Sequence, residues 1–247
     1  MNIVIDGKTC EARPGEYLWD TARRNGIDIP ALCRHDALPG RGCCRLCIVE
    51  NENAVGSRSV IVSCVFPVTE GLKIHTRSEK IIRFRRILLK LLIERAPQAE
   101  GVLLDYCREY GVAGNGELFN DNTNEKCILC NRCSRACQEL GNSAIQVTQR
   151  GIDKIVASPF NEPSPDCIGC AACARVCPTG AIACTDTREQ RTIWNKTFEM
   201  VKCAECGKPF ATAEELEWMK PKILDFESNL AYCPRCRGRH VANSAMV

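Results

Sequence analysis

Two stretches of sequence decide the fold of this chain: Cys127-Ile-Leu-Cys130-Asn-Arg-Cys133-Ser-Arg-Ala-Cys137 and Cys167-Ile-Gly-Cys170-Ala-Ala-Cys173-Ala-Arg-Val-Cys177-Pro178. In each copy, two residues separate the first three cysteines and three residues precede the fourth. Three thiolates at this pitch hold one face of a 4Fe-4S cubane, while the fourth points away and ligates the neighbouring cluster. The repeat therefore predicts two 4Fe-4S clusters with crosswise ligation.

Crosswise ligation gives each cluster three thiolates from one copy and one from the other. The first cluster is predicted to take Cys127, Cys130, Cys133 and Cys177. The second cluster is predicted to take Cys167, Cys170, Cys173 and Cys137. We expect both clusters to lie in one domain over residues 118–192.

A different cysteine spacing occurs nearer the N-terminus. It comprises Cys33, Cys44, Cys47 and Cys64. Three cysteines in or near one loop and a fourth on a returning strand are typical of a 2Fe-2S site, because two irons that share two sulfides need thiolates from two directions. Gly40 and Gly42 suit such a loop, since backbone amides must approach the cluster sulfurs closely. Cys43 is an alternative ligand, but Cys44 is preferred because two residues separate it from Cys47.

The residues around this site predict a small module over 1–77. Ile3 and Ile5 alternate with polar residues before an Asp6-Gly7 turn, which indicates a hairpin. A short helix is expected within 16–25, and strands are expected at 46–50, 59–64 and 72–75. The chain is therefore expected to mix helices and strands, as an α+β protein does.

A helical linker is predicted over 78–117. Ser78 is a suitable N-cap for a helix that runs to about Arg95. The apolar side of this helix is expected to carry Ile81, Ile82, Phe84, Leu88, Leu91 and Leu92, and the polar side is expected to carry most of Arg83, Arg85, Arg86 and Lys90. A second short helix is expected over 101–110.

The C-terminal region, 193–247, is predicted to form a zinc-ribbon-like module after a polar connector beyond Cys184. Its cysteines form two pairs, Cys203 with Cys206 and Cys233 with Cys236. Two knuckles of this kind complete a tetrahedral four-thiolate zinc site. A further 4Fe-4S cluster is the alternative, but the triple-cysteine run found twice upstream does not recur here.

Cysteine dominates the composition, with 20 among 247 residues. Neither a signal peptide nor an apolar stretch of bilayer-spanning length is found, so we expect a cytoplasmic protein without membrane insertion. In that reducing compartment the cysteines are expected to bind metal rather than to form disulfides. The net charge of +3 gives no field that would favour nucleic acid. The cysteines left over are Cys10, Cys43, Cys107 and Cys184, which we expect to be small buried hydrophobic residues.

The order of these modules resembles a known family. The segments that carry the resemblance are Leu32-Cys-Arg-His35, Cys44-Arg-Leu-Cys-Ile-Val-Glu50, Ser63-Cys-Val-Phe-Pro-Val-Thr-Glu-Gly71, Asn124-Glu-Lys-Cys-Ile-Leu-Cys-Asn-Arg-Cys133 and Arg150-Gly151. They are similar to the N-terminal part of the large iron-sulfur subunit of respiratory complex I. They also resemble the small diaphorase subunit of NAD-linked hydrogenases and the N-terminal region of multimeric iron-iron hydrogenases. The resemblance covers roughly residues 1–185 and implies a β-grasp 2Fe-2S ferredoxin domain followed by a two-cluster 4Fe-4S ferredoxin domain.

The resemblance also implies a function in electron transport. Such a subunit relays electrons between an NAD(P)H-binding flavoprotein and a catalytic subunit of hydrogenase or formate dehydrogenase type, and ferredoxin is a further candidate partner. The chain shows no nucleotide-binding fingerprint and no further catalytic centre, so a non-catalytic redox subunit of an oxidoreductase is expected. A self-sufficient iron-sulfur enzyme and a zinc-ribbon scaffold with structural clusters are the alternatives.

One departure from the family concerns the stretch from Arg95 to Cys107. Family members carry a site of one histidine and three cysteines there, which binds a further 4Fe-4S cluster. This chain has no histidine and a single cysteine in that stretch. We therefore expect a packed helical remnant without metal, and either direct electron transfer from the 2Fe-2S site to the paired clusters or transfer to a cluster on another subunit.

Overall fold

The computed structural model describes residues 1–114, 125–223 and 230–244, the last five of these by their backbone alone. The chain forms two units. The first comprises Met1–Arg132 with Cys177–Ala181, and the second comprises Cys133–Val176 with Ile182–Val247. Helices and strands are mixed in both, in agreement with the expected α+β organisation.

A five-stranded sheet forms the N-terminal part of the first unit. Its strands are β1 (Asn2–Ile5), β2 (Lys8–Glu11), β3 (Ile48–Glu52), β4 (Arg58–Val62) and β5 (Lys73–His75), in the order β2-β1-β5-β3-β4. The pair β1 and β5 is parallel, and the other neighbours are antiparallel. Helix α1 (Leu18–Arg24) buries Leu18, Trp19 and Ala22 in the same core as the inward residues of the sheet.

The predicted N-terminal hairpin is confirmed. Asp6 and Gly7 connect β1 to β2 with φ of 48° and 81°. Positive φ at both central residues matches the twist of antiparallel strands, and glycine adopts it without steric cost. Ile3 and Ile5 are completely buried on the inner face, as their alternation predicts.

Two helices follow the sheet: α2 (Glu79–Arg95) and α3 (Val102–Tyr110). Ser78 caps α2, since its hydroxyl accepts a hydrogen bond from the amide of Ile81 at 3.3 Å. None of the helices in the described part of the chain is long and apolar enough to cross a membrane.

The prediction for the polar side of α2 is wrong at Arg85. Arg85 is completely buried, in a stripe with Ile81, Leu89 and Ile93 that recurs every four residues. Leu91, predicted for the apolar side, is 46% exposed. The buried stripe of α2 is rotated from the predicted one because Arg85 finds three oxygen acceptors inside the unit, which offset the cost of burying its charge.

The cysteine-rich part of the chain contains helix α4 (Arg132–Glu139), a two-stranded sheet of β6 (Gln146–Thr148) and β7 (Ile155–Ala157), and the short helix α5 (Ala172–Arg175). Helix α4 begins one residue before the third cysteine of the first copy, Cys133, and α5 begins one residue before the third cysteine of the second copy, Cys173. The repeat in sequence is thus a repeat in local structure.

A second antiparallel sheet follows in the second unit. Its strands are β8 (Cys184–Asp186), β9 (Gln190–Ile193), β10 (Lys196–Lys202) and β11 (Pro209–Thr212), in the order β11-β10-β9-β8. Helices α6 (Ala213–Met219) and α7 (Pro234–Ser244) follow.

The polar connector predicted beyond Cys184 is therefore wrong, because that stretch forms β8 and β9. Its polar residues alternate with buried Arg191 and Ile193, which gives β9 one inward face. The predicted boundary between residues 192 and 193 falls within β9. The predicted division of the chain into four domains stays a prediction.

Candidate metal centres

The four thiols predicted for the 2Fe-2S site meet inside the first unit. The loop between α1 and β3 carries Cys33, Cys44 and Cys47, and a 3₁₀ turn over Ser63–Val65 carries Cys64. All four are between 0% and 6% exposed. Backbone amides also point at sulfur: Leu32 N lies 3.3 Å from Cys44 Sγ, and Cys44 N lies 3.5 Å from Cys33 Sγ. Four convergent thiols with amide donors are the ligand environment that a 2Fe-2S cluster requires.

The thiols of this site form hydrogen bonds with one another. Hydrogen bonds from the thiols of Cys44 and Cys64 lower the pKa of Cys33 below that of an ordinary cysteine. The same contacts raise the pKa of Cys44 and of Cys64, and burial raises both further. The pKa of Cys47 is also lowered, chiefly by a hydrogen bond from the thiol of Cys64. These hydrogen bonds place the four sulfurs close enough together to share one metal group.

Glycine is required at position 40 because the chain passes very close to Cys64. A Cβ on Gly40 would lie 1.9 Å from the carbonyl oxygen of Cys64 and 3.2 Å from its Cβ. The first of these contacts is with backbone, so no side-chain rotation could relieve it. The close approach is to the backbone of a predicted ligand, Cys64, whereas the sequence predicted an approach of backbone amides to the cluster sulfurs.

The side chain of Arg85 connects α2 to the loop that holds the thiols. Its Nε donates to the carbonyl oxygen of Leu46 at 3.0 Å, and its Nη2 donates to that of Ile48 at 2.8 Å. These two carbonyls flank Cys47. The remaining nitrogen, Nη1, donates to Tyr110 Oη on α3 at 3.0 Å. Sequence reasoning missed this role, although the four-residue spacing of Ile81, Arg85 and Leu89 is a signal that could have indicated it.

Three of the four thiols predicted for the first 4Fe-4S cluster lie in the first unit: Cys127, Cys130 and Cys177. Leu129 N lies 3.4 Å from Cys127 Sγ, and Ala181 N lies 3.3 Å from Cys177 Sγ. Burial raises the pKa of Cys130 to about 12. Cys133 belongs to the second unit.

The four thiols predicted for the second 4Fe-4S cluster lie together in the second unit. A cavity is lined by Cys137, Cys167, Cys170, Cys173, Ile193 and Trp194, among others. Its exposed lining is almost wholly apolar, and the backbone N–H of Ala144 lies 3.2 Å from Cys137 Sγ. Burial raises the pKa of Cys167, of Cys170 and of Cys173, the last to about 11. An apolar cavity bounded by four thiols fits a 4Fe-4S cluster, and Cys137 reaches it from the other copy as crosswise ligation requires.

One hydrophobic cluster of the first unit joins two of the predicted sites. It contains Cys33 and Cys44 of the 2Fe-2S site together with Cys130 and its neighbour Ile128. Arg132 adds a polar link, since its Nη2 donates to the carbonyl oxygen of Arg34, beside Cys33. The two predicted sites are thus separated by packed side chains of this unit.

The segment that departs from the family pattern fills the same cluster. Ala96, Ala99, Leu103 and Cys107 are all buried there, between 0% and 4% exposed. Burial raises the pKa of Cys107, which no described charged group offsets. The predicted packed helical segment is confirmed, and Cys107 is a buried residue of α3 as expected.

The C-terminal cysteine pairs converge on one point. The sulfurs of Cys203, Cys206, Cys233 and Cys236 all lie within 4.8 Å of one another. The hydrogen bond from the backbone N–H of Cys206 is the largest of several that lower the pKa of Cys203 to about 6. Arg239 Nη2 lies 3.1 Å from Cys236 Sγ. This arrangement stabilises the thiolate of Cys203, and the four convergent sulfurs can hold a metal ion.

Two of the four leftover cysteines differ from expectation. Cys10 is buried as predicted, and so is Cys107. Cys43 is exposed, unlike its buried neighbour Cys44, and Cys184 is half-buried on β8, an edge strand of the four-stranded sheet. The prediction that these two are buried hydrophobic residues is wrong.

Comparisons with known proteins agree with this arrangement. Residues 1–79 match the family model of the 2Fe-2S iron-sulfur cluster binding domain, and residues 126–181 match that of the 4Fe-4S dicluster domain. The NADP-reducing hydrogenase subunit HndD of Solidesulfovibrio fructosivorans is 30% identical over 223 residues, which are 78% of this chain and 37% of that protein. An NADH-quinone oxidoreductase subunit from Rhizobium meliloti is 28% identical over 232 residues, which are 84% of this chain and 27% of that protein.

A solved structure of an NAD+-reducing [NiFe]-hydrogenase in the H2-reduced state contains a chain with the same fold. The TM-score is 0.62 at 24% identity, over 90% of this chain and 97% of that chain. This chain spans between about a quarter and two fifths of the length of the curated relatives named above. It therefore carries a 2Fe-2S iron-sulfur cluster binding domain followed by a 4Fe-4S dicluster domain, and it is a homologue of the hydrogenase and NADH-quinone oxidoreductase subunits that its sequence resembles.

Proposed function

We propose that this chain is the electron-transfer subunit of a multi-subunit NAD(P)H-linked oxidoreductase in the cytoplasm. It relays electrons between an NAD(P)H-binding flavoprotein and a catalytic subunit of hydrogenase or formate dehydrogenase type. Iron-sulfur clusters supply one-electron chemistry when they are bound. The relatives support this role, since they are named as subunits of an NADP-reducing hydrogenase and of an NADH-quinone oxidoreductase.

The ligand sets are proposed as follows. The 2Fe-2S cluster takes Cys33, Cys44, Cys47 and Cys64; the first 4Fe-4S cluster takes Cys127, Cys130, Cys133 and Cys177; the second takes Cys137, Cys167, Cys170 and Cys173. The complete or partial burial of these thiols and the amides directed at several of their sulfurs support the assignments.

The main observation in favour of electron transfer between the two sites is the hydrophobic cluster of the first unit that they share. Cys33 and Cys44 pack in the same cluster as Cys130. Ala96, Ala99 and Leu103 are buried in the same cluster and belong to the segment that lacks the family's pattern of one histidine and three cysteines. Buried apolar side chains between the two sites exclude water and fix the positions of the ligand loops. This packing supports direct transfer within the chain rather than a detour through a partner.

The C-terminal site is proposed to hold one zinc ion. A tetrahedral site with a Zn–S distance of about 2.3 Å places its sulfurs about 3.8 Å apart. Cys206 Sγ and Cys233 Sγ lie 3.9 Å apart, and no pair in the set exceeds 4.8 Å. A 4Fe-4S cubane needs wider spacing because four irons and four sulfides lie between the thiolates. The compact set therefore supports a single ion, which contributes folding free energy and no electron transfer.

The proposed electron relay predicts that NADH reduces the clusters only when a flavoprotein is present. The purified, cluster-loaded chain should be reduced by dithionite but not by NADH or NADPH, since it offers no group that accepts hydride. Adding a flavoprotein that oxidises NADH should then allow NADH to reduce the clusters, as followed by paramagnetic resonance. Cluster reduction by NADH without the flavoprotein would contradict the proposal.

Elemental analysis tests the metal assignments. We expect about ten irons and about one zinc per chain. Iron near fourteen without zinc would show instead that the C-terminal site holds a further 4Fe-4S cluster.

A further inference from the structure

The second antiparallel sheet lies directly against the loop that carries Cys167, Cys170 and Cys173. Side chains of its strands and of the β9–β10 turn contact four points of that loop, and all of them belong to the second unit. These contacts are made by Trp194, Lys196, Arg191 and Thr212. None of these residues is a predicted ligand, and the sheet lies outside the residues that match the 4Fe-4S dicluster domain.

Trp194 donates directly to a ligand sulfur. Its Nε1 lies 3.4 Å from Cys173 Sγ, and its ring lines the cavity bounded by the four thiols. The indole is aimed by a tight turn: Trp194 and Asn195 connect β9 to β10 with φ of 52° and 57°. A hydrogen bond to a ligand thiolate stabilises the more negative, reduced form of a cluster more than the oxidised form.

Lys196 brings a positive charge to the same loop. Its Nζ donates to the carbonyl oxygen of Cys167 at 2.8 Å and lies 4.8 Å from the ring centre of Phe198. The partners of Lys196 Nζ are backbone carbonyls and an aromatic ring, and no described carboxylate forms an ion pair with it. Its positive charge is therefore not neutralised and acts on the cavity. A nearby cation also favours the reduced cluster.

The other contacts hold the loop in place under these two side chains. Buried Arg191 donates to the carbonyl oxygen of Gly169 at 2.9 Å, and its charge is balanced by Asp186 at 2.7 Å. Thr212 Oγ1 donates to the carbonyl oxygen of Ile168. A Cβ on Gly169 would lie 2.7 Å from the ring of Phe198, so the loop and the sheet pack without a gap. The donor of Trp194 is therefore fixed relative to Cys173.

We infer that the β9–β10 hairpin raises the reduction potential of the second 4Fe-4S cluster, through the N–H···S hydrogen bond of Trp194 and the ammonium charge of Lys196. The inference rests on the proposed function, since it requires that the cluster is bound by Cys137, Cys167, Cys170 and Cys173. Both side chains are positioning residues that act on the cluster through its ligands and its field. The consequence is that this cluster accepts an electron more readily than its ligand set alone would allow.

Redox titration of the full cluster-loaded chain, followed by paramagnetic resonance, tests the inference. The signal of the second cluster is assigned first by its loss in Cys170→Ser. In Trp194→Phe, which keeps an aromatic cover and removes the donor, the midpoint potential of that signal should fall. Lys196→Met should also lower it, whereas Lys196→Arg, which keeps the charge, should leave it near that of the unaltered chain.

Two variants serve as matched controls, and both lie in the second unit away from the cavity. Trp218→Phe and Lys220→Met should leave the potential unchanged. Full iron content with an unchanged potential in both Trp194→Phe and Lys196→Met would overturn the inference. A chain that holds far fewer than about ten irons before any substitution would instead contradict the proposed function.

Discussion

Arg85 on α2 donates to the carbonyl oxygen of Ile48 at 2.8 Å, and neither group is exposed to water. The contact ties the helix to the residue that follows Cys47, and a second hydrogen bond, to Leu46, ties it to the residue before. A helix whose sequence pattern suggests only a linker thus supports the ligand loop of the 2Fe-2S site.

Removing the guanidinium should therefore destabilise both the first unit and its cluster. Arg85→Met leaves two buried carbonyls without a donor, each at a cost of about 1–3 kcal/mol. We expect the free energy of unfolding to fall by about 3 kcal/mol and the visible absorbance of the 2Fe-2S cluster to be lost at a lower temperature. Arg83→Met, an exposed change on the same helix, is the matched control. Equal thermal stability of the two variants would show that Arg85 does not support the loop.

The two neighbouring cysteines of the ligand loop should behave differently. Cys44 is buried with its sulfur near Cys33, whereas Cys43 is exposed. Cys43→Ala should leave the 2Fe-2S signal intact, and Cys44→Ala should remove it, because the cluster then lacks one of four thiolates. Iron analysis with paramagnetic resonance distinguishes them, and the reverse result would move the ligand assignment to Cys43.

Features that depend on nearby residues could be predicted from the sequence. The spacing within each cysteine run, the Ser78 cap and the Asp6-Gly7 turn each involve residues that lie close together along the chain. The burial of Arg85 depends instead on acceptors 37 to 39 residues before it and 25 after it. The contact of Trp194 with Cys173 spans 21 residues. Neither partner could be identified before the strands had been placed, so both contacts were missed.

The single cysteine of α3 should be dispensable. Cys107 is buried among apolar side chains of the first unit, so Cys107→Ala should cost about 1 kcal/mol of stability through lost packing and leave every cluster signal intact. Cys133→Ala should remove one 4Fe-4S signal, because the cubane loses a face ligand. If Cys107→Ala also abolished a cluster, this chain would contribute a ligand to a site shared with a partner.

Cluster loading of the metal-free chain should depend on pH. Burial raises the pKa of Cys130 to about 12 and that of Cys173 to about 11. Both thiols are therefore protonated at neutral pH, and binding to iron must release these protons. Raising the pH lowers the competition from protons, so loading with iron and sulfide should be more complete at about pH 8.5 than at about pH 6.5. Visible absorbance measures the loading, and a flat response to pH would mean that these thiols lose no proton on binding.

Gly40 gives the strictest test of the loop geometry, because it has no room for a single added carbon. The Cβ of Gly40→Ala would lie 1.9 Å from the carbonyl oxygen of Cys64, and relief requires that the loop or the 3₁₀ turn moves. Either movement separates Cys64 from the thiols of Cys33 and Cys47.

We therefore expect Gly40→Ala to lose the 2Fe-2S signal and about two irons per chain, while both 4Fe-4S signals persist. Cys43→Ala is the control from the same loop, since it changes an exposed residue without adding bulk. A Gly40→Ala chain with full iron content would mean that the loop does not approach Cys64 this closely when the cluster is bound. In that case the 2Fe-2S ligands would be held by the hydrogen bonds of Arg85 rather than by the close packing of the two backbone segments.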